Sequence, residues 1–171
     1  MELLALKHRL RLADINQVER IDLAIDGADQ VEEKTLNLIK GGGAALVREK
    51  IVDSIAKKLI VIVDETKLSG RLGGDQKVPV EILPFGHQVS LRKIRDVSHD
   101  ASIREAKGKV GPVVTDNGNL IVDAHFPRIR DPEALQARLK SIPGVVETGL
   151  FIDMADRVYV GTKTGQVKVL E

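Results

Sequence analysis

The feature that most constrains the fold is a glycine-led helical segment flanked by two short apolar runs. Residues 20–25 predict a strand that ends at the sequence Asp-Gly-Ala-Asp, and residues 59–63 predict a second strand that ends at Asp64. Between them, three glycines precede apolar residues that recur at helical spacing over residues 44–56. A strand, a helix and a strand in this order form a βαβ unit, so the sequence predicts a parallel sheet.

Polar side chains follow both predicted strands. Asp26 and Asp29 come after the first strand, and Asp64 and Lys67 come after the second. Ligands gather at the carboxyl ends of parallel strands, so these positions indicate a site. The two aspartates could act as an acid/base or hydrogen-bonding pair, or they could simply cap a turn. Lys67 could hold a phosphate as a point charge, or it could be an ordinary surface lysine.

The run Lys-Gly-Gly-Gly at residues 40–43 directly precedes the predicted helix. Bare backbone amides and the positive end of a helix dipole favour an anion at such a place. The alternative is a flexible turn that lets the helix approach the sheet closely. The run is not a dinucleotide fingerprint, because Leu46 stands where the third glycine would be, and no Gly-Lys-Ser/Thr follows.

A helical wheel over residues 44–56 places an apolar arc around Val47, Arg48, Ile51 and Ile55. Arg48 lies inside this arc, so we expect it to bind carboxylates or carbonyls and to organise the strand ends. Glu49 lies at the edge of the arc, where partial desolvation would raise the pKa of its carboxyl group. The alternative for Glu49 is a solvated helix residue.

The second half of the chain predicts a small α+β lobe. Its expected elements are a strand at 78–83, a helix at 87–96, a hairpin at 113–124 around Asn117-Gly118, a helix capped by Asp131 with Pro132 first, and a strand at 145–152. A closing hairpin at 158–160 and 167–170 could rejoin the first sheet.

Composition excludes several classes of protein. The chain of 171 residues has 26 Lys and Arg against 25 Asp and Glu, and it contains three Phe, one Tyr and no Trp. A net charge of +1 and so few aromatic rings argue against a nucleic-acid partner. The longest apolar run, at residues 59–63, is too short to cross a membrane, and no signal pattern is visible. We therefore expect a cytoplasmic protein.

No metal site and no cofactor are expected. The chain has no Cys, which removes thiolate chemistry and Cys-ligated zinc. The four histidines, at positions 8, 87, 99 and 125, are scattered, and no two have the spacing of a ligand pair.

Five stretches together resemble the A-type ribose-5-phosphate isomerases: IDLAIDGADQV, NLIKGGGAALVREKIV, VIVDETK, VPVEI and TDNGN. The resemblance runs from about Ile21 to the C-terminus. It implies an α/β fold, with a Rossmann-like parallel-sheet domain at residues 1–76 and 145–171 and a smaller ferredoxin-like α+β lobe at 77–144. It also implies a homodimer or homotetramer that interconverts D-ribose 5-phosphate and D-ribulose 5-phosphate, a step of the non-oxidative pentose phosphate pathway, without a cofactor.

The resemblance also implies roles for individual residues. Glu49 would transfer the proton, Lys40 and the glycine-loop amides would stabilise the enediolate oxygen, and Asp26 and Asp29 would hold hydroxyls or assist ring opening. The substrate-binding set that it implies is Asp26, Gly27, Ala28, Asp29, Lys40, Gly41, Gly42, Gly43 and Lys67.

One departure from the family pattern affects these expectations. Family members usually carry an upstream βα segment with a Thr-Gly-Ser-Thr type phosphate loop and an early lysine, and neither is found here. We therefore expect the first domain to be truncated at its N-terminus and the phosphate affinity to be reduced. The alternative functions are a sugar-phosphate-binding regulatory domain and an inactive fragment of the same fold.

Overall fold

The computed structural model describes residues 2–108 and 110–171, and its strands form three four-stranded sheets. The helices are α1 (Glu2–Lys7), α2 (Leu46–Ser54), α3 (His87–Arg95) and α4 (Pro132–Lys140). The strands are β1 (Ala24–Asp26), β2 (Gln30–Glu32), β3 (Leu38–Ile39), β4 (Leu59–Asp64), β5 (Leu68–Ser69), β6 (Val78–Ile82), β7 (Asp100–Ile103), β8 (Leu120–His125), β9 (Val145–Thr148), β10 (Leu150–Phe151), β11 (Arg157–Gly161) and β12 (Val167–Leu170). Among the described residues, no helix is both long enough and apolar enough to cross a membrane.

The first sheet has the Rossmann-like parallel arrangement that the βαβ pattern predicts. Its order is β1-β4-β11-β12, in which β1 and β11 run parallel to β4 while β12 closes an antiparallel hairpin with β11. The alternating residues Leu59, Val61 and Val63 of β4 are buried, as the period of a strand requires. The first strand is shorter than predicted. It begins at Ala24, because Ile21 before it makes only an isolated bridge to Ala56.

A second sheet, of order β10-β3-β2-β5, joins the two halves of the chain and was not predicted. Its strands have only two or three residues each, too few for a periodic pattern to be visible in the sequence. The strand predicted at 145–152 is split at Gly149, whose amide donates to Pro79 O and whose carbonyl accepts from Lys40 N. An added Cβ at Gly149 would lie 2.3 Å from Lys40 O, so only glycine fits this junction.

The third sheet, with α3 and α4, forms the ferredoxin-like lobe. Its order is β7-β8-β6-β9, and every pairing in it is antiparallel, as a βαββαβ unit requires. Leu91, Ile94 and Leu139 of the two helices belong to one core with the sheet residues Val80 and Val122. The expected domain bounds stay a prediction. They assign β9 to the first domain, whereas β9 pairs with β6 in the sheet of the second lobe.

The Asn-Gly turn forms as predicted, but the strand before it does not. Only an isolated bridge joins Val114 to Leu120, while β8 pairs over its length with β6 and β7. The turn is fixed instead by buried Glu81 of β6. Its Oε1 accepts hydrogen bonds from Thr115, Asn117 and Asn119 at 3.1, 3.0 and 2.7 Å.

Helix α2 buries a different face from the one that the helical wheel predicted. Ile51 of the apolar arc is 49% exposed, while Leu46 and Asp53 are buried. Leu46 packs into the core of the first sheet with Leu59 and Val61, and α2 also contacts β6 and β9 of the second lobe. The expected role of Arg48 at the strand ends is wrong. Its exposed guanidinium donates to Asn117 Oδ1 at 2.9 Å and to the carbonyl of Asp116 at 2.8 Å, so it binds the Asn-Gly turn.

Candidate active site

The structure brings all ten predicted site residues to one cavity of about 280 Å³. The cavity lies where the carboxyl ends of β1 and β4 meet the glycine loop (residues 40–43) and the first turn of α2. Its lining consists of Asp26, Gly27, Ala28, Asp29, Lys40, Gly41, Gly42, Gly43, Glu49 and Lys67.

A larger groove of about 820 Å³ lies elsewhere, between the N-terminal segment and Arg48. Its lining is mostly apolar and includes Leu4, Leu10 and Leu12. A sugar is recognised by convergent polar groups. The smaller, polar cavity is therefore the candidate site.

Lys40 lines this cavity, with only 3% of its side chain exposed. Its ammonium group donates to Asp26 Oδ2 at 2.7 Å and to the carbonyl of Gly27 at 2.6 Å. It also lies 3.5 Å from Glu49 Oε2. A buried ammonium with several oxygen partners is held in one position, so Lys40 presents a fixed positive charge to whatever occupies the cavity.

The glycine loop is held against Asp29. Gly42 N donates to Asp29 Oδ2 at 2.7 Å, and an added Cβ at Gly42 would lie 2.6 Å from Asp29 Oδ1. Gly41 has a φ of 105°, and its Cβ would lie 2.8 Å from Leu46. Close approach therefore requires glycine at both positions. Helix α2 begins only at Leu46, so the amides that line the cavity belong to the loop and not to the helix.

Glu49 is the carboxylate best placed to exchange a proton. Its side chain is 27% exposed, and its Oε2 is buried without a hydrogen-bond partner among the described residues. Burial raises the pKa of the Glu49 carboxyl above its usual range, Lys40 opposes this rise, and Asp26 adds to it. A desolvated carboxylate with a raised pKa is a better base near neutral pH.

Asp53 was not predicted as a site residue. It lies one turn after Glu49 on α2, is 6% exposed, and its Oδ2 has no hydrogen-bond partner among the described residues. Burial raises the pKa of Asp53 to about 6. The charge of Lys40 opposes this rise, and the charges of Asp26 and Glu49 add to it. The spacing of four from Glu49 was visible in the sequence, but the wheel placed the buried face elsewhere.

Asp53→Asn is expected to stabilise the protein at alkaline pH. The folded-state pKa lies above the ordinary aspartate pKa of 3.8, so the folded protein binds the Asp53 proton more tightly than the unfolded chain. Stability should fall as pH rises from about 4 to about 6, and the full penalty, on the order of 3 kcal/mol, should persist at higher pH. Asn does not ionise, so the variant should unfold at higher denaturant concentration than wild type at pH 8.

The matched control is Asp96→Asn, which alters an exposed aspartate that ends α3. It should change the free energy of unfolding by less than about 0.5 kcal/mol at either pH. If Asp53→Asn gave the same stability difference from wild type at pH 4 and pH 8, the ionisation of Asp53 would not be the cause.

Lys67 also lines the cavity. It ends a short 3₁₀ turn, Glu65–Lys67, whose N-cap Asp64 accepts a hydrogen bond from Thr66 N. Among the described residues, no salt bridge involves Lys67 (the twelve ion pairs lie elsewhere). Its charge is therefore open to an anionic group of a ligand.

Lys50 is a further residue that the sequence did not indicate. It follows Glu49 on α2 and donates to Glu147 Oε1 at 3.0 Å and to the carbonyls of Thr148 and Leu150, each at 2.7 Å. Burial lowers its pKa, and Glu147 opposes this shift. Arg48 and Lys50 thus fasten α2 to the second lobe on either side of Glu49.

Within residues 2–108 and 110–171, no cluster of His, Asp or Glu could hold a metal ion.

The fold and the cavity define an α/β protein with a polar cavity at the carboxyl ends of its parallel strands, where ligands of such folds gather. A sequence profile of the ribose 5-phosphate isomerase A (phosphoriboisomerase A) family matches residues 1–165. The match includes the first twenty residues, which the sequence resemblance had left out. The chain belongs to the ribose 5-phosphate isomerase A family.

Individual relatives agree with this assignment. The chain is 47% identical to ribose-5-phosphate isomerase A of Methanosarcina acetivorans and 49% identical to that of Pyrococcus abyssi, covering 99% of this chain in both cases and 70% and 73% of the relatives. It superposes on a D-ribose-5-phosphate isomerase in complex with phospho-erythronic acid with a TM-score of 0.94 at 47% identity, covering 99% of this chain and 73% of the other. It superposes on ribose 5-phosphate isomerase A from Methanocaldococcus jannaschii with a TM-score of 0.92 at 44% sequence identity, and the match covers 99% of this chain and 74% of the other.

Proposed function

We propose that this chain interconverts D-ribose 5-phosphate and D-ribulose 5-phosphate, with Glu49 as the proton-transferring base. The observation that carries the proposal is the pairing of a desolvated carboxylate, Glu49, with a fixed ammonium, Lys40, in the same cavity. Family membership supplies the substrate. One solved relative is a complex with phospho-erythronic acid, a phosphorylated sugar acid whose planar carboxylate resembles an enediolate.

The reaction needs only proton transfers. Glu49 removes the proton from C2 of the open-chain aldose, and the electrons of that C–H bond form the C1–C2 double bond of an enediolate while the C1 oxygen becomes negative. Lys40 and the loop amides stabilise that oxygen. Glu49 then returns the proton to C1, and the hydroxyl proton moves from O2 to O1. No oxidant, reductant or cofactor enters the balance.

The other polar groups would place the sugar. Asp26 is held by Lys40, by the amide of Gly27 and by its position at the end of β1, so its carboxylate has a fixed orientation for a hydroxyl. Asp29 is fixed by Gly42 N. A general base such as Glu49 typically raises a rate about 10²–10⁴-fold, and a single oxyanion donor such as Lys40 raises it about 10²–10³-fold.

The proposal is tested by adding D-ribose 5-phosphate to the purified protein and following ketose formation, with and without EDTA. We expect turnover in both arms, since Glu49 and Lys40 supply the chemistry. Binding of the sugar phosphate without turnover would contradict the proposal. Loss of turnover in EDTA that added divalent metal restores would contradict the metal-free mechanism.

Lys67→Ala is expected to weaken substrate binding more than turnover. Lys67 lines the cavity, where its charge would contact a non-reacting part of the sugar phosphate. KM should rise about 10-fold or more, while kcat changes less, because uniform binding is removed. Lys93→Ala, which removes an exposed lysine from α3, is the control and should leave both constants unchanged. A larger fall in kcat than rise in KM would contradict this role.

We also propose a homodimer or homotetramer that works in the cytoplasm. The family resemblance supports the assembly, and the isomerisation of a sugar phosphate belongs to central metabolism. Light scattering of the purified protein would test the assembly, and a monomer would contradict it.

A further inference from the structure

Arg104 is a partly buried cation of the second lobe that no predicted role explains. It follows β7, and 17% of its side chain is exposed. Its Nε and Nη2 donate to the two carboxylate oxygens of Asp123 in β8, at 2.9 and 2.5 Å. Its backbone is held on both sides, because Arg104 N donates to Ile121 O and Arg104 O accepts from Val113 N, each at 2.8 Å. The guanidinium is therefore fixed in place by the lobe behind it.

The remaining nitrogen of Arg104 points to the first lobe. Nη1 donates to the carbonyl of Gly41 at 2.8 Å and to the carbonyl of Gly42 at 3.0 Å. Both carbonyls belong to the glycine loop that lines the cavity. Arg104 and Asp123 thus form a clamp between the second lobe and the loop.

Because peptide groups are planar, the clamp also orients the N–H groups of the glycine loop. In a trans peptide, the carbonyl and the N–H of the next residue point in opposite directions. The Gly41–Gly42 peptide is thereby held at both ends, by Arg104 at its carbonyl and by Asp29 at its N–H. Holding the carbonyl of Gly42 likewise directs Gly43 N–H away from Arg104. Within the described part of the chain, Gly43 N has no hydrogen-bond partner.

We propose that Arg104 is a positioning residue that fixes the glycine loop so that Gly43 N–H is a preorganised donor in the cavity. The inference rests on the proposed function, because that amide would act on the enediolate oxygen. Three consecutive glycines have no side chains with which to order themselves, and they lose much conformational freedom on becoming fixed. An outside group must therefore order them, and Arg104 makes two of the contacts that do so.

Arginine is required for this arrangement. One planar group has to serve a bidentate carboxylate and two carbonyls at once, which the fork of a guanidinium allows and the point charge of a lysine does not. Arg104→Lys should therefore keep the charge and lose the geometry.

The first experiment measures kcat and KM for Arg104→Met and Arg104→Lys with D-ribose 5-phosphate. We expect kcat to fall about 10- to 100-fold in both variants, with KM changing less than about 3-fold, because a misplaced oxyanion donor affects the transition state more than binding. Added guanidinium at a sub-denaturing concentration should restore part of the rate of Arg104→Met. The matched control is Arg95→Met, which removes a guanidinium bound to the carbonyl of Ala101 in the same lobe. It should retain wild-type kcat.

The second experiment measures amide hydrogen exchange in residues 41–46 of the same proteins. We expect faster exchange in both Arg104 variants and no change in Arg95→Met. This measurement needs no turnover, so an inactive wild-type protein would refute the proposed function while the clamp is still tested. Wild-type kcat in folded Arg104→Lys, or unchanged loop exchange in either Arg104 variant, would overturn the positioning role. If Arg104→Met does not fold, Arg104→Lys decides the question alone.

Discussion

Replacing Glu49 by Gln is expected to lower kcat by at least about 10²-fold, the lower end for removing a general base. The substitution keeps the volume and hydrogen-bonding capacity of the side chain and removes the carboxylate that takes the C2 proton. Affinity for ribose 5-phosphate should change much less, because the base acts on the transition state. Steady-state kinetics and calorimetric titration of the variant would measure the two effects.

Proton exchange gives a more direct measurement of the same step. In deuterated water, wild-type protein should incorporate deuterium from solvent into the sugar through the enediolate, and Glu49→Gln should lose this exchange along with turnover. Glu133→Gln, on the exposed first turn of α4, is the matched control and should behave as wild type in both assays. A fully active Glu49→Gln protein would remove the proposed mechanism.

The pH dependence of wild type follows from the same group. Glu49 must be deprotonated to act as a base, and burial raises the pKa of its carboxyl. As pH falls, kcat/KM should decline through a pKa above the usual value of 4.5. An acid limb below that value would indicate a different base.

The sequence located the cavity because its residues are local to strand ends and to one loop. Asp26, Asp29 and Lys67 follow strands whose apolar runs are visible, and parallel strands bring their carboxyl ends together. The glycine loop and Glu49 follow directly in the connecting segment. The positions of these residues could therefore be predicted from the βαβ pattern alone, whereas their roles were predicted from the family resemblance.

The contacts between the two lobes could not be predicted in the same way. Lys50 binds oxygens about a hundred residues away, and Arg104 binds the glycine loop from a segment with no pattern of its own. The helical wheel took the face of α2 with most apolar residues as the buried one, so it placed Arg48 inside and missed the buried Asp53. Lys50 and Arg104 are largely removed from solvent because distant oxygens satisfy them, and hydrophobic periodicity carries no signal of that kind.

Lys40→Met is the second change with a large expected effect. At neutral pH, kcat should fall about 10²–10³-fold, the loss expected for one oxyanion donor. Lys40 also lowers the pKa values of Glu49 and Asp53, so its removal should raise both. The acid limb of the pH–rate profile should therefore move to higher pH, and less of the base should be ionised at pH 7.

The same substitution should destabilise the protein, because Lys40 is 3% exposed and is paired with Asp26 and Glu49. Removing one partner of a buried pair costs about 3–5 kcal/mol, and the cost should shrink at lower pH, where the orphaned carboxylates take up protons. Lys50→Met is the matched control, since Lys50 is also paired, with 14% of its side chain exposed, but does not line the cavity. It should lose stability without moving the acid limb. An acid limb that shifts equally in both variants would show that Lys40 does not act directly on Glu49.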